Sequence, residues 1–249
     1  MQVHFPNHRG ETLAGVIDEV ENPIATAIYA HCFTCSKDHV ASYRICKALA
    51  EQHIQVLRFD FTGLGKSQGD FSNNDFSDNV ADIKSAVDFL TENEPSPQFL
   101  IGHSLGGIAA VAAACELEVI QAVVTIASPS RPSHVLEHFQ QQIPKIVQQG
   151  SAEVSIFDQT FKFTREFVQD LKSYDERDFI KNLHKPILIF HAPLDTVVSI
   201  EEAARIFTHA KHPKSFISLD KTDHLISRKE DAKYIAENVV SWTKRYIKI

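Results

Sequence analysis

Six short apolar runs fix the range of folds open to this chain: Ala25–Tyr29, Val56–Phe59, Phe99–Ile101, Ala122–Ile126, Ile187–Phe190 and Phe216–Leu219. They are rich in Val, Ile and Phe, bounded by turn or charged residues, and mostly apolar rather than strictly alternating. That pattern fits strands covered on both faces, as in a parallel sheet. Segments of helical spacing lie between them. Val40–Gln52 sets Ile45 and Leu49 on one face, Val80–Leu90 repeats Val80, Ile83, Val87 and Leu90, and Ile108–Cys115 is almost entirely small and apolar. Ala232–Trp242 presents Ile235, Val239 and Trp242 as an amphipathic C-terminal helix. Strand alternating with helix predicts an α/β architecture with right-handed crossovers.

Two stretches break the rhythm. Val3–Val20 reads as an antiparallel hairpin at the sheet edge, turning at Asn7–Glu11. Pro129–Asp178 interrupts the alternation, with a helical part (Val135–Gln149) and an alternating part (Val154–Phe163). A loop that long without structure of its own would be unusual, so residues 129–178 are expected to form an inserted lid on one domain spanning 1–249. Its phenylalanines, Phe139, Phe157, Phe161, Phe163 and Phe167, either build an apolar acyl site or pack the lid on the sheet body.

Composition removes several classes of function. The 249 residues carry a net charge of −7 and no basic block, which argues against nucleic acid as the main partner. No apolar stretch approaches the roughly 20 residues that span a bilayer, and the N-terminus lacks the pattern of a secretory signal. Four cysteines are too few for a disulfide scaffold at this size, so a reduced, cytoplasmic protein is expected.

The chemistry concentrates at Gly102-His103-Ser104-Leu105-Gly106, a G-x-S-x-G between a strand and a small-residue helix. That is the setting of a nucleophile elbow, where a strained turn projects the serine from the sheet and glycines avoid clashes. A serine hydroxyl needs a base and an orienting carboxylate. Asp195 follows the strand Ile187–Phe190, and His224 follows Phe216–Leu219, giving the chain order serine, acid, histidine. Asp223 is the rival acid. Oxyanion donors are expected from the backbone N–H of Leu105 and that of Phe33, whose ring would also line the substrate site. His103 is expected to pack or hydrogen-bond in the elbow beside the substrate rather than act as base.

On these residues the chain resembles the α/β-hydrolase-fold serine esterases. The marks are His31-Cys32-Phe33 after the third strand, Arg58–Ser67, the elbow, Asp195 and His224. Ala30–Asp38 and Leu57–Phe71 further resemble the hydrolase half of bacterial proteins fused to an OsmC-like peroxide-handling domain. The resemblance implies a mostly parallel central sheet flanked by helices, and a serine hydrolase acting on small to medium carboxylic esters through an acyl-enzyme. No metal or organic cofactor is expected, and the partners would be a small-molecule ester and, as an option, a second copy of the chain. A thioesterase, a C–C hydrolase, an acyltransferase, a peptidase, or a binding protein that lost turnover are the alternatives on the same fold.

Where many family members carry His-Gly, this chain has His31-Cys32, which creates the C-x-x-C pair Cys32 and Cys35. The plain reading is two small buried thiols. The sharper one is that their oxidation distorts the oxyanion loop and lowers activity. Asp75, Asp78 and Asp82 read as helix-capping acids, and Asp60, Gly63, Gly65 and Ser67 as turn chemistry rather than a phosphate loop.

Overall fold

The computed structural model describes residues 1–156 and 159–246. Its strands are β1 (Gln2–Pro6), β2 (Thr12–Asp18), β3 (Ala25–Ala30), β4 (Ile54–Phe59), β5 (Phe99–His103), β6 (Ala122–Ile126), β7 (Ser151–Ile156), β8 (Gln159–Thr164), β9 (Ile187–His191) and β10 (Lys214–Ser218). Its helices are α1 (Val40–Ala50), α2 (Phe76–Asn93), α3 (Leu105–Ala114), α4 (Ile143–Gln149), α5 (Arg165–Asp175), α6 (Phe179–Asn182), α7 (Ile200–His209) and α8 (Lys229–Thr243). Eight strands form one sheet in the order β1-β2-β4-β3-β5-β6-β9-β10. The six from β4 to β10 are parallel, while β1 and β2 make the N-terminal antiparallel hairpin that joins β4. Strands β3, β4, β5, β6 and β9 are buried at every position, as strands covered on both faces should be.

Parallel register places the working ends of the strands together. Ala30 pairs with Gly102, His103 with Ile126, and His191 with Ser218, so β3, β5, β9 and β10 release their following loops at one rim. Apolar side chains fill both faces. One core joins α2, α3 and the segment after β6 to the sheet, and the other joins α1 and α8. Helix α3 is buried all round, which explains its run of alanines and glycines.

The segment between β6 and β9 departs from the expected single helix over Val135–Gln149. A 3₁₀ stretch, Pro132–Gln142, breaks at Phe139 (φ −140°, ψ 35°) before α4 starts. Pro144 explains the new start, because it has no N–H for the preceding turn and fits only a first helical turn. The alternating stretch forms the antiparallel hairpin β7–β8. Phe157, named above among the lid aromatics, lies outside the described residues. The segment is tied to the body at two places. Buried Glu202 on α7 accepts hydrogen bonds from the Ser130 N–H (2.8 Å) and Oγ (2.6 Å), and Asp170 on α5 accepts from the Ser77 N–H (2.9 Å) and Oγ (2.6 Å).

Asp75 and Asp78 do the capping that their positions implied, but Asp82, also expected to cap, does not. Asp75 and Asp78 cap reciprocally, each side chain accepting from the other's backbone N–H. Asp82 is fully buried and accepts from the Thr62 N–H and Oγ, bracing the loop after β4. Burial pushes its pKa up to about 7, against the opposing pull of those hydrogen bonds. The folded chain therefore holds this proton more tightly than the unfolded chain, and ionising Asp82 erodes stability as pH rises from about 4 to about 7. Asp82→Asn should gain in stability relative to the parent across that window, read as urea midpoints on either side of it. A constant difference between the two proteins would contradict the assignment.

Candidate active site

Ser104 sits between β5 and α3 with φ 53° and ψ −125°, a left-handed conformation that few non-glycine residues adopt. The turn is held by hydrogen bonds from the Ser104 N–H to the Ile126 carbonyl and from the Gly107 N–H to the Ser104 carbonyl, both 2.9 Å. Glycine is required on either side by close approach. A Cβ on Gly102 would lie 2.2 Å from the Gly106 carbonyl oxygen, and one on Gly106 would lie 2.3 Å from the His31 carbonyl oxygen. The second contact brings the loop after β3 against the elbow.

The structure brings Ser104, His224 and Asp195 into one hydrogen-bonded series. His224 Nε2 is 3.2 Å from Ser104 Oγ, and His224 Nδ1 is 2.8 Å from Asp195 Oδ2. Asp195 Oδ1 accepts from the N–H groups of Val197 (2.8 Å) and Val198 (2.9 Å). Burial works to raise the Asp195 carboxyl, but His224 and those two amides favour its charged form and hold its pKa below the ordinary value. The rival Asp223 is engaged elsewhere, accepting from the Ser227 N–H at 2.9 Å within its own turn. All three members of the series are nearly buried.

Two further histidines brace the loops that carry this series. His103 is fully buried, and its Nε2 lies 2.8 Å from the His224 carbonyl oxygen. Burial, reinforced by the neighbouring His224, pushes its pKa down to about 3, so the neutral ring donates its Nε2–H to that carbonyl. His103 thus packs and hydrogen-bonds in the elbow, its Nε2–H spent on the backbone of His224, and it is not among the residues lining the small cavity beside Leu105. His191, lowered in pKa by burial, donates in the same way from Nε2 to the Val198 carbonyl (2.8 Å) at the far side of the Asp195 turn. Sequence reading passed over His191. Its place at the last residue of the strand preceding Asp195 was the available signal.

Leu105 is the first residue of α3, so its N–H has no partner one turn back in the helix. Phe33 lies in the loop that Gly106 touches, and Leu105, Gly106, Cys32 and Phe33 line one small cavity of about 10 Å³. That space is about one water in size. Phe33 and Phe71, two of its lining residues, pack on further aromatic rings. Phe33 stands 5.9 Å from Phe163 and 6.2 Å from Phe167 between ring centroids, Phe163 stacks on Phe139 at 4.6 Å, and Phe71 lies 4.8 Å from Phe161. A far larger hollow, about 660 Å³, runs between β1 and α2, but it is remote from the elbow and holds no member of the hydrogen-bonded series. Chemistry, not volume, marks the site.

The loop after β3 is anchored by buried polar groups. The Phe61 N–H donates to His31 Nε2 (3.3 Å), so His31 Nδ1–H donates to the Cys32 carbonyl (2.8 Å). Burial lowers the His31 pKa to about 4. Lys37 pairs with fully buried Asp60 at 2.7 Å, and Asp60 also accepts from the Lys37 and Lys66 N–H groups. Asp60 thus serves turn structure, as its sequence context implied.

Cys32 and Cys35 are joined by a disulfide, whereas Cys46 and Cys115 are free. This corrects the expectation of a reduced pair, and with it the argument from cysteine usage for a reducing compartment. Cys32, Cys35 and His39 bring their ligand atoms within 4.8 Å of one another, but sulfurs bonded to each other offer a metal no thiolate. Among the described residues no helix is long and apolar enough to cross a membrane.

A mostly parallel sheet with a strained serine at the end of its central strand defines an α/β hydrolase. The chain belongs to the α/β-hydrolase family described as "Serine aminopeptidase, S33", whose model matches residues 23–175. It is similar to the esterase domain of a Rhodothermus marinus protein, with 37% identity, a TM-score of 0.78, and coverage of 100% of this chain and 99% of that one. The fold also matches Est1E from Butyrivibrio proteoclasticus, solved with ferulic acid, at 21% identity and TM-score 0.80, over 98% and 99% of the two chains. An uncharacterized protein of Escherichia coli, YfhR, is 26% identical over 208 residues, covering 82% of this chain. The matched region spans 64% of YfhR's own length. The narrower likeness to OsmC-fused hydrolases finds no support in these matches.

Gly106→Ala tests the contact that sets the site. The added methyl must push the His31 backbone away, and it should lower unfolding free energy by about 1–3 kcal/mol. Urea denaturation measures the change, and an unaltered midpoint would show that the loop yields freely.

Proposed function

We propose that this chain is a serine hydrolase that cleaves small to medium carboxylic esters through an acyl-enzyme. The observation that carries the reading is the Ser104–His224–Asp195 series, set on a strained elbow at a helix N-terminus. Ser104 Oγ attacks the ester carbonyl while His224 Nε2 takes its proton. Asp195 fixes the proton of His224 on Nδ1 and stabilises the imidazolium. The N–H groups of Leu105 and Phe33 receive the tetrahedral oxyanion. His224 then gives its proton to the departing alkoxide, and water repeats the path in reverse to free the acid. His103 and His191, both neutral, keep the two loops in place without adding charge beside the forming oxyanion.

The aromatic layer gives residues 129–178 the part of a lid. Phe163 and Phe167, stacked on Phe33, are the lid rings placed to meet an acyl chain. The kinship with an esterase domain at 37% identity favours an ester over other leaving groups. The family description favours a second reading, an aminopeptidase, in which His224 would protonate an amine. Turnover of p-nitrophenyl acetate compared with amino acid p-nitroanilides separates the two.

Ser104→Ala should abolish p-nitrophenyl acetate turnover and labelling by a fluorophosphonate probe while leaving the circular dichroism spectrum unchanged. Turnover that survives this change defeats the proposal. Asp195→Asn should lower kcat by about 10³–10⁴, because the wrong histidine tautomer then faces the serine. A loss below about tenfold would point to another orienting acid.

A further inference from the structure

The turn Cys32-Phe33-Thr34-Cys35 carries one of the two proposed oxyanion donors and contains an unexpected strain. The Cys35 N–H donates to the Cys32 carbonyl at 3.1 Å, closing a four-residue turn, and Thr34 at its third position has φ 56°. That position in such a turn asks for Gly or Asn. A β-branched residue there is an outlier that the surroundings must hold in place. The chain is anchored before the turn by His31 and after it by the Lys37–Asp60 pair. Across the turn itself, the covalent tie is the bond between Cys32 and Cys35.

We propose that the Cys32–Cys35 disulfide is a positioning element of the oxyanion site. It keeps Thr34 left-handed and so holds the Phe33 N–H beside that of Leu105, and its reduction lowers the rate of hydrolysis. The inference rests on Phe33 and Leu105 being the donors. It reverses the sign expected from sequence, because the oxidised pair here accompanies a loop packed against the elbow. Reduction requires a dithiol. One of its thiolates attacks Sγ of Cys35, the more exposed partner, and Cys32 leaves as a thiolate that solvent protonates. The second thiol of the reductant then displaces Cys35 and closes its own disulfide. Two electrons and two protons pass to the protein. Freed of the tie, Thr34 relaxes to a negative φ and turns the Phe33 amide away, while Leu105 stays fixed by the helix.

Losing an oxyanion donor costs about 10²–10³ in kcat, and a displaced one should cost about tenfold or more. The decisive measurement is kcat and KM for p-nitrophenyl acetate, oxidised and after dithiothreitol, with thiols counted and Ser104 labelled by a fluorophosphonate. The proposal expects kcat to fall about tenfold or more with KM changed about twofold or less, and to return on reoxidation. Cys35→Ser should show the same loss without reductant, and it decides the matter if the native disulfide resists dithiothreitol. Adding Thr34→Gly to Cys35→Ser should recover part of kcat, since glycine takes the left-handed turn without strain. A purely structural disulfide would give no such rescue. Equal kcat in both redox states and in Cys35→Ser, with labelling intact, overturns the disulfide's role but leaves the hydrolase standing. No turnover and no labelling in either state defeats the hydrolase reading and this inference together. Circular dichroism of the reduced protein, should it show unfolding, overturns the local role.

Discussion

Two glycine-sized contacts govern how the site can exist. Ser104 can occupy its strained conformation only because Gly102 lets α3 begin directly above the strand, and Gly106 lets the β3 loop lie against that helix. The backbone cost of such a residue is of order 1–3 kcal/mol, and it persists because the surroundings over-determine it. The surroundings here are β6 and helix α3, both fully buried. A well-packed core thus holds one serine in a posture that an isolated peptide would abandon.

Around that posture the polar groups divide by charge. The members proposed to exchange a proton, Ser104 and His224, are matched to a carboxylate held ionised by two amides and the imidazole. The members that only hold loops, His31, His103 and His191, are buried and kept neutral. A neutral ring can donate to a carbonyl without imposing a full charge on an interior where desolvation is costly. Four histidines in one region therefore do different work, separated by which backbone or carboxylate group each one meets.

The fold was legible because its signals are local. Buried parallel strands leave continuous apolar runs, and the elbow needs glycines at fixed offsets from its serine. Asp195 and His224 could be read because strand ends in a parallel sheet share a rim. The kink at Phe139 was less legible, since the apolar spacing continues through Pro144 and only the missing N–H ends the helix. His103 was legible as a packed elbow residue, though its partner, the His224 carbonyl, could not be read from sequence adjacency. The disulfide was hidden for a different reason. A C-x-x-C pair becomes bonded only if the turn folds back on itself, and that turn depends on a left-handed threonine that no propensity rule would supply.

The outermost parallel strand gives the molecule an uneven robustness. β10 is partly exposed along its length, pairs on one side with β9, and delivers the loop that carries His224. Ser104, by contrast, rises from the sheet's interior. A strand with one free edge opens at lower free energy than the strands it borders. In rising denaturant the imidazole would therefore peel away from an elbow that is still folded, and the hydrogen-bonded series would break well before the sheet comes apart.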